Sequence, residues 1–384
     1  MKRYERTRSL LRSPRVAWDL IMRGRYQFEY DQMQICMQGM SPAKRLNLVK
    51  AGLNLIHRRL TPWSMPVHLH IELTNYCELR CPICPTGTGA LKRPPKAMDP
   101  ALLERLMAEP GPYLLTASLW GWGESLLHPH LSQVLEIMGR YKITTFLSTN
   151  GQRLMNDHVL QALIDLPPTH LIVAIDGLTD ETNSVYRVGS KLKPVLDGVR
   201  RLAEIKRQRA QQLPILHMRY IVMRHNQHEV NSLEQFATEH EFDLLTIRTL
   251  SAIDSNPQDS KYSEFLPESS EFRAYGYEDG ARIRRNDMLC YYPFWFPAVS
   301  SDGTVTACEQ HYDCKEPMGV LADGVSFRDI WFSREAGCLR RAVRDNPDGT
   351  KSCADCSCRD RPATGASFRA VRINKDIPDP VVIG

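Results

Sequence analysis

The sequence lacks any apolar run near the roughly 18 residues that a membrane-spanning helix needs, and the stretch Val16 to Met22 is broken by Asp19 where a signal peptide requires continuity. A spanning anchor and the usual secretory route are disfavoured, so a cytoplasmic setting is expected. No G-x-G-x-x-G or G-x4-G-K-[ST] loop follows an expected strand, which leaves dinucleotide binding and nucleotide-triphosphatase chemistry unsupported. None of the 12 histidines forms an H-E-x-x-H pair. Internal repeats and low-complexity tracts are missing as well. What remains is an ordinary folded composition, 42% apolar and 24% charged, in 384 residues, enough for two or three compact units.

Charge is uneven along the chain. The net +5 arises because residues 1–62 carry 13 basic and 4 acidic residues, while the remainder is slightly acidic. Such a segment can contact an anionic membrane surface weakly, or bind nucleic acid, or present a solvated arginine-rich face. Cysteine is the other irregularity. Eleven are present, three of them at Cys77, Cys81 and Cys84 and seven between Cys290 and Cys358. Clustered cysteines without a secretion signal indicate metal before disulfides.

Residues 1–62 read as short helices, Val16 to Met22 and Ala43 to Ile56, closed by Pro62. Beyond them, β-rich runs alternate with amphipathic helical stretches. Six strands are expected at Val67 to Leu73, Leu115 to Trp120, Ile143 to Leu147, His170 to Ile175, Ile215 to Val222 and Leu244 to Arg248. The helices between them are long enough for right-handed crossovers. His217 and Tyr220 on the fifth strand and Arg248 on the sixth can point into the mouth of such a sheet, although packing explains them equally well. The rhythm breaks over Ser251 to Asp287. The remainder, 288–384, opens with an expected hairpin, Phe296 to Ser300 and Thr304 to Cys308, around Asp302-Gly303.

Cys77, Cys81 and Cys84, spaced C-x3-C-x2-C in the loop after the first strand of the repeat, supply three thiolates where a structural zinc site needs four ligands. A 4Fe-4S cubane on three thiolates keeps one iron open. At these residues the sequence resembles the radical S-adenosylmethionine superfamily, and further elements follow in order. They are His70 to Cys77, Gly121-Trp122-Gly123-Glu124 after strand two, Ser148-Thr149-Asn150-Gly151 after strand three and Ala174-Ile175-Asp176-Gly177 after strand four. The resemblance implies an α/β fold, a partial (β/α)6 TIM-type barrel over 63–287, here with a helical extension at 1–62. It also implies S-adenosylmethionine on the open iron and a flavodoxin- or ferredoxin-type electron donor. A small-molecule substrate is expected because residues 1–62 read as helical and basic, unlike the strand-plus-helix leader-binding module of members that modify ribosomal peptides. By the same resemblance Gly121, Gly123 and Glu124 lie against the methionine, Glu124 accepting from its ammonium. Ser148 and Asn150 reach the ribose or carboxylate, Arg187 pairs with the carboxylate, and Asp176 faces the ribose or substrate. Trp122, Ser125, Ala174 and Ile83 depart from the usual pattern without removing a ligand.

The second cysteine group, with Gly303 and Cys308 in G-x4-C spacing and then Cys353, Cys356 and Cys358, resembles the SPASM and twitch extensions of that superfamily. The resemblance implies at least one auxiliary 4Fe-4S cluster in a small β-hairpin and helix domain. Its ligands would be Cys290, Cys308, Cys353 and Cys356, with Cys358 as rival for the last place. Cys314 and Cys338 are then spare: buried thiols, second-cluster ligands or hydrogen-atom donors. A zinc ribbon is the alternative for this domain. The expected activity is abstraction of hydrogen from a C–H bond of a sugar, nucleoside or secondary metabolite. A ribosomal peptide, a lipid-linked substrate and a non-catalytic nucleic-acid-binding protein are the competing readings, and no nucleic-acid partner is expected on the first of them.

Overall fold

The computed structural model describes residues 14–251, 260–278, 281–283, 285, 290–354, 356–361 and 367–383. A helix over Pro14–Arg23 leads into an antiparallel hairpin, β1 (Tyr26–Tyr30) and β2 (Met33–Met37). Asp31 and Gln32 turn it with φ of 53° and 64°, the left-handed pair that a two-residue hairpin loop requires. A second helix, Pro42–His57, is capped by Ser41, whose hydroxyl accepts from the Lys44 amide. The all-helical reading of the first 62 residues is thereby corrected. The period-2 alternation of Y-Q-F-E-Y and M-Q-I-C-M makes a hairpin, and its Asp-Gln turn carries no glycine to announce it.

Six parallel strands follow: β3 (His68–Ile71), β4 (Thr116–Leu119), β5 (Thr144–Thr149), β6 (His170–Ala174), β7 (Ile215–Val222) and β8 (Leu244–Thr249). They hydrogen-bond in chain order, with helices in the crossovers, as the repeat predicted. One face is apolar, with Leu69, Ala117, Leu147, Leu171, Met218 and Leu245 packed under the helices. In-register partners on the other face are His70, Ser118, Phe146 and His170 in one row and Ile172 and His217 in the next. A sheet with one polar face forms the lumen of a partial barrel.

The expected boundary at 287 does not separate two sheets. After a two-stranded ribbon, β9 (Tyr277–Glu278) and β10 (Ala281–Arg282), β11 (Ala298–Val299) joins β3 in parallel. The edge is then extended by β12 (Thr304–Thr306) and β13 (Gly319–Val320). At the opposite edge β14 (Ser367–Arg372) pairs antiparallel with β8. One ten-stranded sheet therefore runs through both regions. The strands flanking Asp302-Gly303 are shorter than expected, and Gly303 takes φ 91° in the turn. Finally β15 (Val381–Ile383) adds to β2.

The N-terminal hairpin fills the lower lumen. Tyr30 stacks on Phe146 at 3.9 Å between ring centroids, and Met33 and Ile35 pack on Ile172, Ile215 and Leu244. Asp31 pairs with Arg219 at 2.7 Å and also accepts from the Ser367 hydroxyl. Burial pushes the Asp31 carboxyl up, but Arg248 and Arg219 outweigh it and hold the group well below the ordinary carboxylate range. At this tip Gln32 is exposed and the Arg248 side chain keeps 27% of its surface.

Candidate active site

All three early cysteines lie in the loop that leaves β3, at the carboxyl ends of the parallel strands, where α/β folds place their chemistry. The Leu79 amide and the Asn150 side-chain amide donate to Cys77 Sγ at 3.4 and 3.7 Å, and the Cys84 amide bonds to the Cys81 carbonyl at 3.2 Å. Around them Leu79, Tyr186, Met223 and Leu250 form an apolar wall. Burial raises the Cys77 thiol well above its ordinary value and Cys81 to about 11, with Arg187 opposing the rise at Cys81. Sheltered thiols that resist ionisation alone suit a metal centre that replaces their protons.

Glycines hold this loop tight. A Cβ on Gly87 would lie 2.4 Å from the Cys81 carbonyl oxygen, and one on Gly123 would lie 2.4 Å from that of Thr74. Gly121 gives the same room to the Glu72 side chain. These two motif glycines thus seat the loop after β4 on the loop after β3. Glu72, which the sequence reading passed over, is the clamp beneath. Its carboxylate accepts from Arg93 at 2.7 Å and from the Ser301 amide and hydroxyl at 3.1 and 3.0 Å. Trp122 donates its indole N–H to the Glu309 carbonyl at 3.1 Å, so this departure from the usual motif ties the barrel to the second cysteine region.

Glu124 is buried and accepts from the Leu126 amide, the Thr149 hydroxyl and the Asn150 amide at 2.9, 2.6 and 2.8 Å. Burial raises it to about 7 against those three bonds. It braces the β5 loop, and with it Asn150. Asp176 is fully buried, with Oδ1 accepting from the Ile221 amide at 2.8 Å and Oδ2 from Arg187 Nε at 2.6 Å. Each oxygen thus accepts one hydrogen bond from the chain itself. Arg187 pairs with Asp176 through Nε and lies near Cys81. Ser148 lies on the lumen face in register with Ile172. Tyr220 points away from the lumen and donates to Glu229 at 2.7 Å, whereas His217 and Arg248 do line it.

Five thiols of the second group, Cys290, Cys308, Cys353, Cys356 and Cys358, border one cavity together with His311 and Tyr292. Burial raises Cys353 to about 12, and a hydrogen bond with Cys358 together with burial raises Cys356 well above its ordinary value. Among the described residues, no three His, Cys, Asp or Glu gather as a site for a single ion. Thiols spaced around a cavity suit a polynuclear cluster. Cys314 stands apart, 3.0 Å from the Ser300 hydroxyl, and Cys338 is exposed on the helix Arg334–Asp345. That exposure lends the hydrogen-donor role of Cys338 no support.

Comparison with known proteins agrees with this geometry. The profile of the radical SAM superfamily matches residues 71–237, and that of the SPASM iron–sulfur cluster-binding domain matches residues 290–357. No curated protein sequence matches. Among solved structures, Streptococcus suis SuiB bound to its precursor peptide SuiA is similar at 15% identity, with 83% of this chain and 75% of that one covered and a TM-score of 0.57. Native anSMEcpe with bound AdoMet is similar at 16% identity, with 81% and 94% covered and a TM-score of 0.50. BtrN in complex with AdoMet and 2-DOIA matches at 18% identity, with 80% and 99% covered and a TM-score of 0.48. The cofactors are 4Fe-4S clusters and S-adenosylmethionine. The loop of three thiols at the strand ends and the five-thiol cavity thus have their explanation: the chain carries a radical SAM domain over residues 71–237 and a SPASM iron–sulfur cluster-binding domain over residues 290–357.

Proposed function

We propose that this protein cleaves S-adenosylmethionine reductively at a cubane held by Cys77, Cys81 and Cys84 and abstracts hydrogen from a C–H bond of a small molecule. The bound cluster and co-substrate supply a one-electron cleavage of the sulfonium to methionine and a 5′-deoxyadenosyl radical. The chain supplies position. Asn150 sits against Cys77, Ser148 faces the lumen, and Glu124 fixes the turn that carries Asn150. Cys290, Cys308, Cys353, Cys356 and Cys358 are the candidate auxiliary ligands, one more than a single cubane takes.

The observation that carries the small-molecule reading is the hairpin tip. Tyr30 and Asp31 floor the lumen below the cysteine loop, so the chamber is closed at one end. A peptide substrate is the second reading. The N-terminal segment that was read as purely helical contains a hairpin, and SuiB was solved with a precursor peptide. The test is anaerobic incubation of reduced protein with S-adenosylmethionine, which should yield 5′-deoxyadenosine, followed by a mass-spectrometric search for deuterium transfer into it. A labelled metabolite supports the first reading; a labelled peptide supports the second.

A peripheral membrane contact through the N-terminal helices is part of the same proposal. Trp18, Ile21, Met22, Leu46, Leu53 and Trp63 are exposed, and Arg23, Lys50 and Arg59 are interspersed with them along the sequence. An amphipathic basic face of this kind suits an anionic lipid surface. No described helix is long and apolar enough to cross a membrane.

A further inference from the structure

Positive charge is in excess at the floor and mouth of the lumen. Arg219 gives one guanidinium nitrogen to Asp31 at 2.7 Å, but its Nε is buried without a hydrogen-bond partner. Arg248 Nε stands 3.9 Å from the same carboxylate, beyond hydrogen-bond reach, and its side chain is partly accessible. Arg361 approaches from the SPASM side. One of its nitrogens donates to the Ser251 hydroxyl just beyond β8, its Cζ lies 6.0 Å from the Tyr275 ring centroid, and its Nε is also buried without a partner.

Among the described residues, the groups facing this cluster do not neutralise it. Asp31 is the one carboxylate in ion-pair contact with Arg219 and Arg248 among the described residues. The lumen histidines His170 and His217 are held neutral by burial and by Arg219. Arg248 and Arg361 repel each other, and Cys358 lies near Arg361. Arg219 and Arg248 therefore share one carboxylate, Arg361 adds its charge beside Arg248, and a buried N–H left without an acceptor is destabilising. An oxyanion with several lone pairs is the ligand that relieves this arrangement, because the planar guanidinium fork matches carboxylate and phosphate oxygens.

We propose that Arg219, Arg248 and Arg361 bind an anionic group of the substrate, a carboxylate or a phosphate, at the lumen wall between the hairpin tip and the auxiliary cysteines. The proposal rests on the lumen being the substrate chamber of a radical enzyme, and it narrows the substrate to an organic acid or a phosphate ester.

Full-length, anaerobically reconstituted protein is titrated calorimetrically with inorganic phosphate and, separately, with succinate. S-adenosylmethionine is kept saturating, so that its own carboxylate is already placed, and reductant is omitted. One of the two probes is expected to bind, about tenfold more weakly in Arg248→Gln and in Arg361→Gln and unchanged in the exposed control Arg200→Gln. Arg248→Lys, which keeps the charge but loses the fork, should fall between wild type and Gln. Phosphate binding alone assigns a phosphate ester, and succinate binding alone assigns a carboxylic acid. The proposal is overturned if neither probe binds, if all variants bind alike, or if S-adenosylmethionine displaces the probe. Binding of S-adenosylmethionine by each variant, read in the same instrument, shows that the fold is intact. No cleavage is measured, so failure here leaves the radical chemistry standing, and failure of that chemistry leaves the anion site standing.

Discussion

At the residue scale, burial determines what the titratable groups can do. His170 sits inside the lumen stacked on Phe146, and burial lowers it to about 3 from an ordinary value near 6.5. The folded protein therefore refuses a proton that the unfolded chain accepts. Its contribution to stability is complete above pH 6.5 and is lost progressively as pH falls from there toward 3. At pH 5 the loss from this one group is roughly 2 kcal/mol. His170→Phe is expected to flatten that part of the acid limb, checked by comparing urea unfolding of variant and wild type at pH 7 and pH 5. Cysteine variants separate the thiols by role. Cys81→Ala should abolish 5′-deoxyadenosine formation and lower iron by about four atoms per chain. Cys338→Ser, exposed on its helix, should change neither quantity.

At the element scale, two pieces are pinned by buried cations. The hairpin tip depends on Asp31, and Asp31→Ala would leave Arg219 buried with no counter-ion. Breaking one side of such a pair costs about 3–5 kcal/mol, visible as a lower denaturant midpoint in the variant. The helix Arg334–Asp345 is fixed by Arg340. Its guanidinium donates to the carbonyls of Pro293, Leu60 and Trp331, each at 2.9 Å, and lies 4.2 Å from the centroid of the Trp331 ring. Burial lowers Arg340 to about 9 with no carboxylate to oppose it. Arg340→Met strands three carbonyls between the N-terminal segment and the SPASM domain. Iron quantitation should show auxiliary iron lost while the iron held by Cys77, Cys81 and Cys84 persists.

At the scale of the whole molecule, the chain closes on itself at both edges. Strands β11 to β13 extend one side of the barrel, β14 the other, and β15 returns to the N-terminal hairpin. The auxiliary thiols are thereby held rigidly beside the lumen, as an electron acceptor or a substrate-orienting centre requires. The apolar and basic outer face of the N-terminal helices is expected to bind vesicles of anionic lipid more than neutral ones, with binding weakened by salt. The double substitution Trp18→Ala and Met22→Ser should reduce co-sedimentation several-fold. Equal binding to neutral vesicles, or none to either, would remove the membrane contact from the proposal.

The order of the βα units, the positions of the six parallel strands and the grouping of the thiols were readable from periodicity and spacing, because local hydrogen bonding and side-chain alternation determine them. Glu124, Asp176 and Arg187 were found as positions, but their partners were not. Which atom a buried carboxylate meets depends on strand register and loop approach, as Asp176 with the Ile221 amide shows. The hairpin that floors the lumen, the clamp of Glu72 on Ser301 and the meeting of Arg219, Arg248 and Arg361 join residues remote in the chain. Only the closed tertiary fold could decide them, since no local pattern records which distant charge a side chain will face.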